Sequence, residues 1–433
     1  MVGRRRSILV ALLILAASQL AEAQIRDEPY VHLGVSTCGS GPCHGRFDPA
    51  PTGNVALNEY TIWQNRRLDP HSGAYASLDS DTGRAIAAKL GLASPLTAKE
   101  CLDCHADNVA PERRGPEFQL SDGVACEACH GGGEPWIDTH AEAGATHRDN
   151  LAKGMYATES PLSRAEICVS CHVGTAAQLA THAMMAAGHP RLTFELETST
   201  ANQNPHFVVD DDYRARKGNI ESFNLWISGQ LVAAARNLQL VKSRLYAGAG
   251  VFPELALFDC DACHHQTDDL RWSRVNVGPD IAPGTPRLQK QHLLMLEAAT
   301  SVLEPAAAPE LRRAIEAFAA SGDRGDAAAT AAADGLLAWI DARRETWAAR
   351  VYDAAQIRAV RRQLIAMAVA GRLADFASAE QAVLSVQGFT LSLGQSPAQR
   401  AALDRLFDAA LPATYRPGAF RAIADRDDVE GVF

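Results

Sequence analysis

The stretch Cys126-Glu-Ala-Cys129-His130 constrains this chain more than any other. Two thiols at i and i+3 can form thioethers to the two vinyl groups of one haem, and the histidine that follows can ligate its iron. This is the C-x-x-C-H attachment pattern of c-type haem. The pattern recurs as Cys101-Leu-Asp-Cys104-His105, Cys168-Val-Ser-Cys171-His172 and Cys260-Asp-Ala-Cys263-His264. A stretched relative, Cys38-Gly-Ser-Gly-Pro-Cys43-His44, opens the series, and together the five sites use all ten cysteines. Zinc ribbons also pair C-x-x-C units, and a secreted chain could carry five disulfides. Neither needs a histidine directly after the second cysteine. With 14 histidines in 433 residues, five such placements by chance have a probability on the order of 10⁻⁸. The four regular motifs read as haem c sites. The first reads as a variant haem site, with a disulfide in a turn as its alternative. The expected cofactor is five haem c, with His44, His105, His130, His172 and His264 as proximal iron ligands.

The sixth ligand of each iron decides what the protein can do. An iron with two imidazoles has no vacancy and can only pass electrons, whereas an iron with one can bind a small molecule. Nine further histidines are available. His71, held between Pro70 and a helix, is a candidate distal ligand, as are His140, His182, His189, His206 and His265. His140 and His147, like His182 and His189, lie seven residues apart, which is about two helical turns. Gly144, Gly188 and Pro190 argue against continuous helices there. His32 and His147 read as ordinary histidines. Methionine would raise a haem potential, but Met184 and Met185 read as core. The run from Asp210 to Asp212 reads as a solvated turn, since calcium would want more oxygen ligands.

Residues 1–23 combine Arg4, Arg5 and Arg6 with a short apolar run and Ala21-Glu22-Ala23, the pattern of a signal peptide cleaved after Ala23. The mature chain is expected in the periplasm, where haem is attached after export, with no membrane span. Loss of that segment would move the net charge from −10 to −12, since it holds three arginines and one glutamate. That balance argues against nucleic acid and fits docking to basic faces of periplasmic or membrane-bound redox proteins.

Residues 24–275 hold all the cysteines and thirteen of the fourteen histidines, with many glycines and prolines and few long apolar runs. Such a segment buries too little apolar side chain to fold alone, so haem is expected to serve as its core, wrapped by short helices and loops. Within it, helical periodicity is strong only over residues 219–247. Residues 283–433 lack cysteine and are rich in Ala, Leu, Arg and Asp. They read as an α-helical bundle, with helices expected at 286–303, 309–320, 326–349, 355–370, 377–387, 396–410 and 417–425. The fold class is therefore mainly α. The bundle reads as a cap that could mediate homo-oligomerisation. The alternative is that His292 reaches back to a haem iron.

Pro70-His71-Ser72, Cys101-Leu-Asp-Cys-His-Ala106 and Gly123-Val-Ala-Cys-Glu-Ala-Cys-His-Gly131 resemble multihaem cytochromes of the cytochrome c-554 family. That group belongs with hydroxylamine oxidoreductase and pentahaem nitrite reductase. The resemblance covers roughly residues 30–269. It implies a mainly helical protein on closely stacked haems, carrying electrons in periplasmic nitrogen or sulfur metabolism. Two departures stand out: the c-554 type has four haems, and the Cys-x-x-Cys-Lys site usual in the nitrite reductases is missing. The reading is an electron carrier with mostly bis-histidine haems. The alternative is an oxidoreductase acting on a small nitrogen or sulfur compound at one five-coordinate haem. The variant His130→Ala should lose or disturb one haem, seen in the haem spectrum and reduction curve; if both stay unchanged, the site assignment fails.

Overall fold

The computed structural model describes residues 28–45, 59–247, 253–264, 286–323, 326–411 and 415–433. The expected signal segment and His265 lie outside them. Among the described residues the secondary structure is helical, with isolated bridges only. No described helix is long and apolar enough to cross a membrane. The chain forms two compact units. One comprises Met1–Ser77, Leu102–Thr158 and His206–Val208; the other comprises Leu78–Cys101, Glu159–Pro205 and Val209–Phe433.

The first unit is built from short pieces. Helices Glu59–Gln64, Cys126–His130 and His147–Ala152 and the 3₁₀ turn Pro70–Gly73 alternate with turns. Each is too short to stand without tertiary support. Its buried apolar residues are few and mostly small, among them Val35, Ala106, Val109, Val124, Ala125, Ala128 and Trp136. Both large apolar clusters among the described residues lie in the second unit.

The second unit is organised by five helices: α1 (Pro161–His172), α2 (Ser222–Lys242), α3 (Gln291–Leu303), α4 (Ala354–Val369) and α5 (Phe376–Ser392). Their starts follow the usual capping chemistry. Ser160 accepts from Ser163 N with Pro161 at the first position, and Asp353 and Gln356 form a reciprocal capping box. α2 is apolar nearly all round and is buried accordingly. Leu225, Val232 and Ala233 pack with Leu162, Ala165 and Val169 of α1. Phe223, Trp226, Ile227, Leu231 and Leu238 join the cluster of α3, α4 and α5. That cluster runs from residue 223 to the C-terminal Phe433, across the change in composition near residue 283.

Most expected helices form within a few residues of their expected limits, and two are divided. The 326–349 stretch breaks between Asp341 and Arg344. The break lets Arg343 reach Glu304 Oε2 at 2.8 Å and Trp347 Nε1 reach Glu304 Oε1 at 3.0 Å. The 219–247 stretch forms Ser222–Lys242, then turns at an extended Ser243 before Arg244–Ala247. Asp210 proves to be the N-cap of Asp211–Lys217, accepting from Tyr213 N at 2.8 Å.

Trp226 anchors this core. It is fully buried, its ring lies 4.7 Å from that of Phe389, and its Nε1 donates to Ser385 Oγ at 2.7 Å. Trp226→Ala should destabilise the protein by about 3–5 kcal/mol, the usual cost of removing a buried aromatic. Denaturant unfolding followed by far-UV circular dichroism would read it, and a midpoint within error of the wild type would contradict the packing described.

Candidate functional site

The motif around Cys126 is clamped by the residue inside it. Glu127, almost fully buried, accepts hydrogen bonds from the backbone N–H of Leu33, Gly34 and Gly133 at 2.7, 2.8 and 2.7 Å. Burial pushes its carboxyl pKa up against the lowering effect of those three amides. One side chain thus ties the N-terminal segment and the following Gly-Gly-Gly loop to the attachment helix. Protein crowds closely on the glycines of that loop. A Cβ on Gly131, which has φ +81, would meet Gly154 O at 2.8 Å, and one on Gly132 would meet the His32 ring at 3.0 Å.

The other motifs use their interior positions in a similar way. Asp103 accepts from Asn108 Nδ2 at 2.7 Å, and Asp261 accepts from the backbone N–H of Phe376 at 2.9 Å. These acids were not singled out from the sequence. The only signal for them is an acidic residue between the paired cysteines. Cys38 is buried, Cys43 and Cys263 are exposed, and the other seven cysteines are half-buried. Burial pushes the thiol pKa of Cys168 and of Cys260 up to about 11. Cys38 and Cys43 form no disulfide with each other. Cys38 and Cys126 hydrogen-bond to each other, which brings the first and third attachment sites into contact.

Three histidine pairs share one separation. The ring centres of His44 and His140 are 6.3 Å apart, those of His130 and His206 are 6.2 Å apart, and those of His182 and His264 are 6.0 Å apart. Each pair joins a histidine that closes a cysteine motif to one expected as a distal ligand. A metal–nitrogen bond of about 2.0 Å, with the ring centre about 1.2 Å further out, would put two axial imidazoles about 6.4 Å apart. All three pairs fall just inside that value. Among the described residues no three His, Cys, Asp or Glu side chains converge to hold a bare ion.

Hydrogen bonds set which ring nitrogen these histidines can offer. His105 Nδ1 donates to Ala74 O at 3.0 Å, His140 Nδ1 to Ile137 O at 2.6 Å and His189 Nδ1 to Pro190 O at 2.7 Å. A carbonyl only accepts, so each neutral ring keeps its lone pair on Nε2. His71 Nδ1 lies 2.8 Å from Asp69 Oδ1, whose buried carboxylate also accepts from His71 N. Metal-ligating histidines are held in the same way. His44 Nδ1 faces Glu59 at 3.6 Å. His147 opens a short helix after its cap Thr146, while His182 opens another and His189 lies beyond Gly188, φ +121. Neither seven-residue pair therefore sits on one continuous helix.

His32 is different in kind. It is buried, with Nδ1 2.7 Å from Asp107 Oδ2 and Nε2 2.9 Å from Glu28 Oε1, so neither nitrogen is left for a metal. Burial alone would lower its pKa, but the hydrogen bonds to Asp107 and Glu28 outweigh it and raise the value from 6.5 to about 9.

A family model described as "Cytochrome c554 and c-prime" matches residues 40–131. That span holds Cys43-His44, His71 and the whole of the second and third motifs. No curated protein and no solved structure matches the chain. Over the matched span the chain resembles the cytochrome c-554 family, and the match supports a c-type cytochrome that carries electrons on covalently bound haem.

The His32 site makes a signed prediction. Because its folded pKa lies above the unfolded value, its contribution to stability is complete below about pH 6.5 and is lost as pH rises through about 9. Stability measured by denaturant titration should fall across that window, and His32→Gln should remove this part of the pH dependence. An equal pH dependence in the variant would count against the imidazolium.

Proposed function

We propose that this chain is a periplasmic pentahaem c-type cytochrome that passes electrons between redox proteins through haems held by two imidazoles each. The observation that carries the reading is the common separation of the three histidine pairs. On this reading the first haem uses Cys38, Cys43, His44 and His140. The third uses Cys126, Cys129, His130 and His206, and the fifth uses Cys260, Cys263, His264 and His182. The second is attached at Cys101 and Cys104 with His105 proximal. The fourth is attached at Cys168 and Cys171 with His172 proximal.

Bound in this way, haem supplies a one-electron centre. The protein would supply two imidazoles to each iron, His140 being aimed by Ile137 O at its Nδ1, which would leave no vacancy for a substrate. The Cys38–Cys126 contact supports close approach of the first and third haems. The sparse apolar core of the first unit supports a role for haem in filling it. The excess of acidic side chains suits basic docking faces on partner proteins.

The test is the spectrum of the dithionite-reduced protein before and after carbon monoxide, normalised to haem. The wild type should not change. His140→Ala, His206→Ala and His182→Ala should each open one iron and shift about one fifth of the haem signal. Variants indistinguishable from the wild type would overturn the pairing. A wild type that binds carbon monoxide would favour an oxidoreductase acting on a small nitrogen or sulfur compound.

A further inference from the structure

In the first unit, the run of turns after the third cysteine motif carries a donor with nothing to receive it. Trp136 N and Ile137 N donate to Gly133 O at 3.1 and 2.8 Å, and His140 N donates to Trp136 O at 2.9 Å. Side chains four apart on such a run share a face. The ring centres of Trp136 and His140 accordingly lie 5.5 Å apart, edge to face. Trp136 is only 5% exposed, and among the described residues no atom accepts from its Nε1. Other indoles of the chain are provided for. Trp226 Nε1 donates to Ser385 Oγ at 2.7 Å, Trp347 Nε1 to Glu304 Oε1 at 3.0 Å and Trp63 Nε1 to Val124 O at 3.1 Å. A buried indole N–H gives up its hydration, and normally meets an acceptor in return.

The place of this donor says what is missing. Its neighbour His140 is the candidate axial ligand whose ring stands 6.3 Å from that of His44, the two planes within 16° of parallel. A second donor sits on the same run of turns, where the Lys153 ammonium donates to Thr139 Oγ1. An indole N–H can only donate, and an ionised carboxylate can only accept. In a haem the four ring nitrogens bind the iron, so the oxygen acceptors it brings are those of its two propionates. An N–H and an ammonium beside an axial histidine suit a carboxylate.

We propose that Trp136 Nε1 donates a hydrogen bond to a propionate of the haem attached at Cys38 and Cys43, the haem that His44 and His140 would hold. The inference rests on the pentahaem reading for the presence of that haem, and it adds a cofactor-binding residue outside every cysteine motif. The donor spreads the negative charge of the propionate. Without it, more of that charge acts on the iron, which favours the ferric state and lowers the potential.

The full-length holoprotein tests this with two variants. Trp136→Phe keeps an aromatic ring against His140 and removes the donor, and benzothienylalanine placed at Trp136 exchanges only the N–H for sulfur. Mass spectrometry of the tryptic peptide containing Cys38 and Cys43 should find haem on it; a bare peptide would overturn the inference together with the reading beneath it. In both variants a redox titration should show a single haem at lowered potential and the rest unchanged. Resonance Raman spectra should show part of the propionate bending band shifted. A lowered potential with an unmoved propionate band would assign the donor to the His140 ring or to water, and would overturn the inference alone. So would haems that all stay unchanged; a denaturant midpoint raised at the same time would mark a donor that had no partner to lose. Should Trp136→Phe fail to fold, the benzothienyl variant, which keeps the shape of the indole, carries the test.

Discussion

A neutral imidazole gives its lone pair to a metal from one nitrogen, and an acceptor at the other fixes which one; much of this structure supplies such acceptors. Main-chain carbonyls hold Nδ1 of His105, His140 and His189, the buried carboxylate of Asp69 holds that of His71, and Gln230 holds that of His292. A hydrogen bond of this kind contributes about 1 kcal/mol to stability by itself. Its larger effect is on aim, because it selects a tautomer and stops rotation of the ring. His32 illustrates the opposite choice. With a carboxylate at each nitrogen it becomes a buried cation that fastens the chain and can bind no metal.

The acids inside the cysteine motifs answer a second requirement. A five-residue helix such as Cys126–His130 cannot hold itself in place. Glu127 accepts from three backbone amides in segments on either side, Asp103 accepts from Asn108 beyond its own helix, and Asp261 accepts from the backbone N–H of Phe376. The residues between paired cysteines are usually treated as spacers. Here they anchor the attachment helices to their surroundings.

Much of this was legible from the amino-acid order alone, and the parts that were not have definite causes. The motifs were readable because thioether attachment demands a local spacing, and the C-terminal helices because apolar periodicity and caps are local too. The partners of His44, His130 and His264 were not, because each pair joins residues far apart along the chain, and no local pattern encodes which loop meets which motif. His140, His182 and His206 were identified as a set without their mates. The limits of the 326–349 helix were missed because Glu304, well upstream, draws Arg343 and Trp347 out of register. The change in composition near residue 283 did not mark an edge of the apolar core, since α2 contributes to it from the cysteine-rich side.

That sharing has a consequence for how such a chain can be inherited. α2 turns one face to the helix bearing the fourth cysteine motif and another to the helices that follow. Shortening the gene before α3 would leave Trp226, Ile227 and Leu231 facing water instead of yielding a smaller carrier. A lineage could therefore acquire or discard the C-terminal helices only by rebuilding the support of the fourth motif in the same step. What composition presents as a movable cassette, the packing has made part of the cysteine-rich segment it follows.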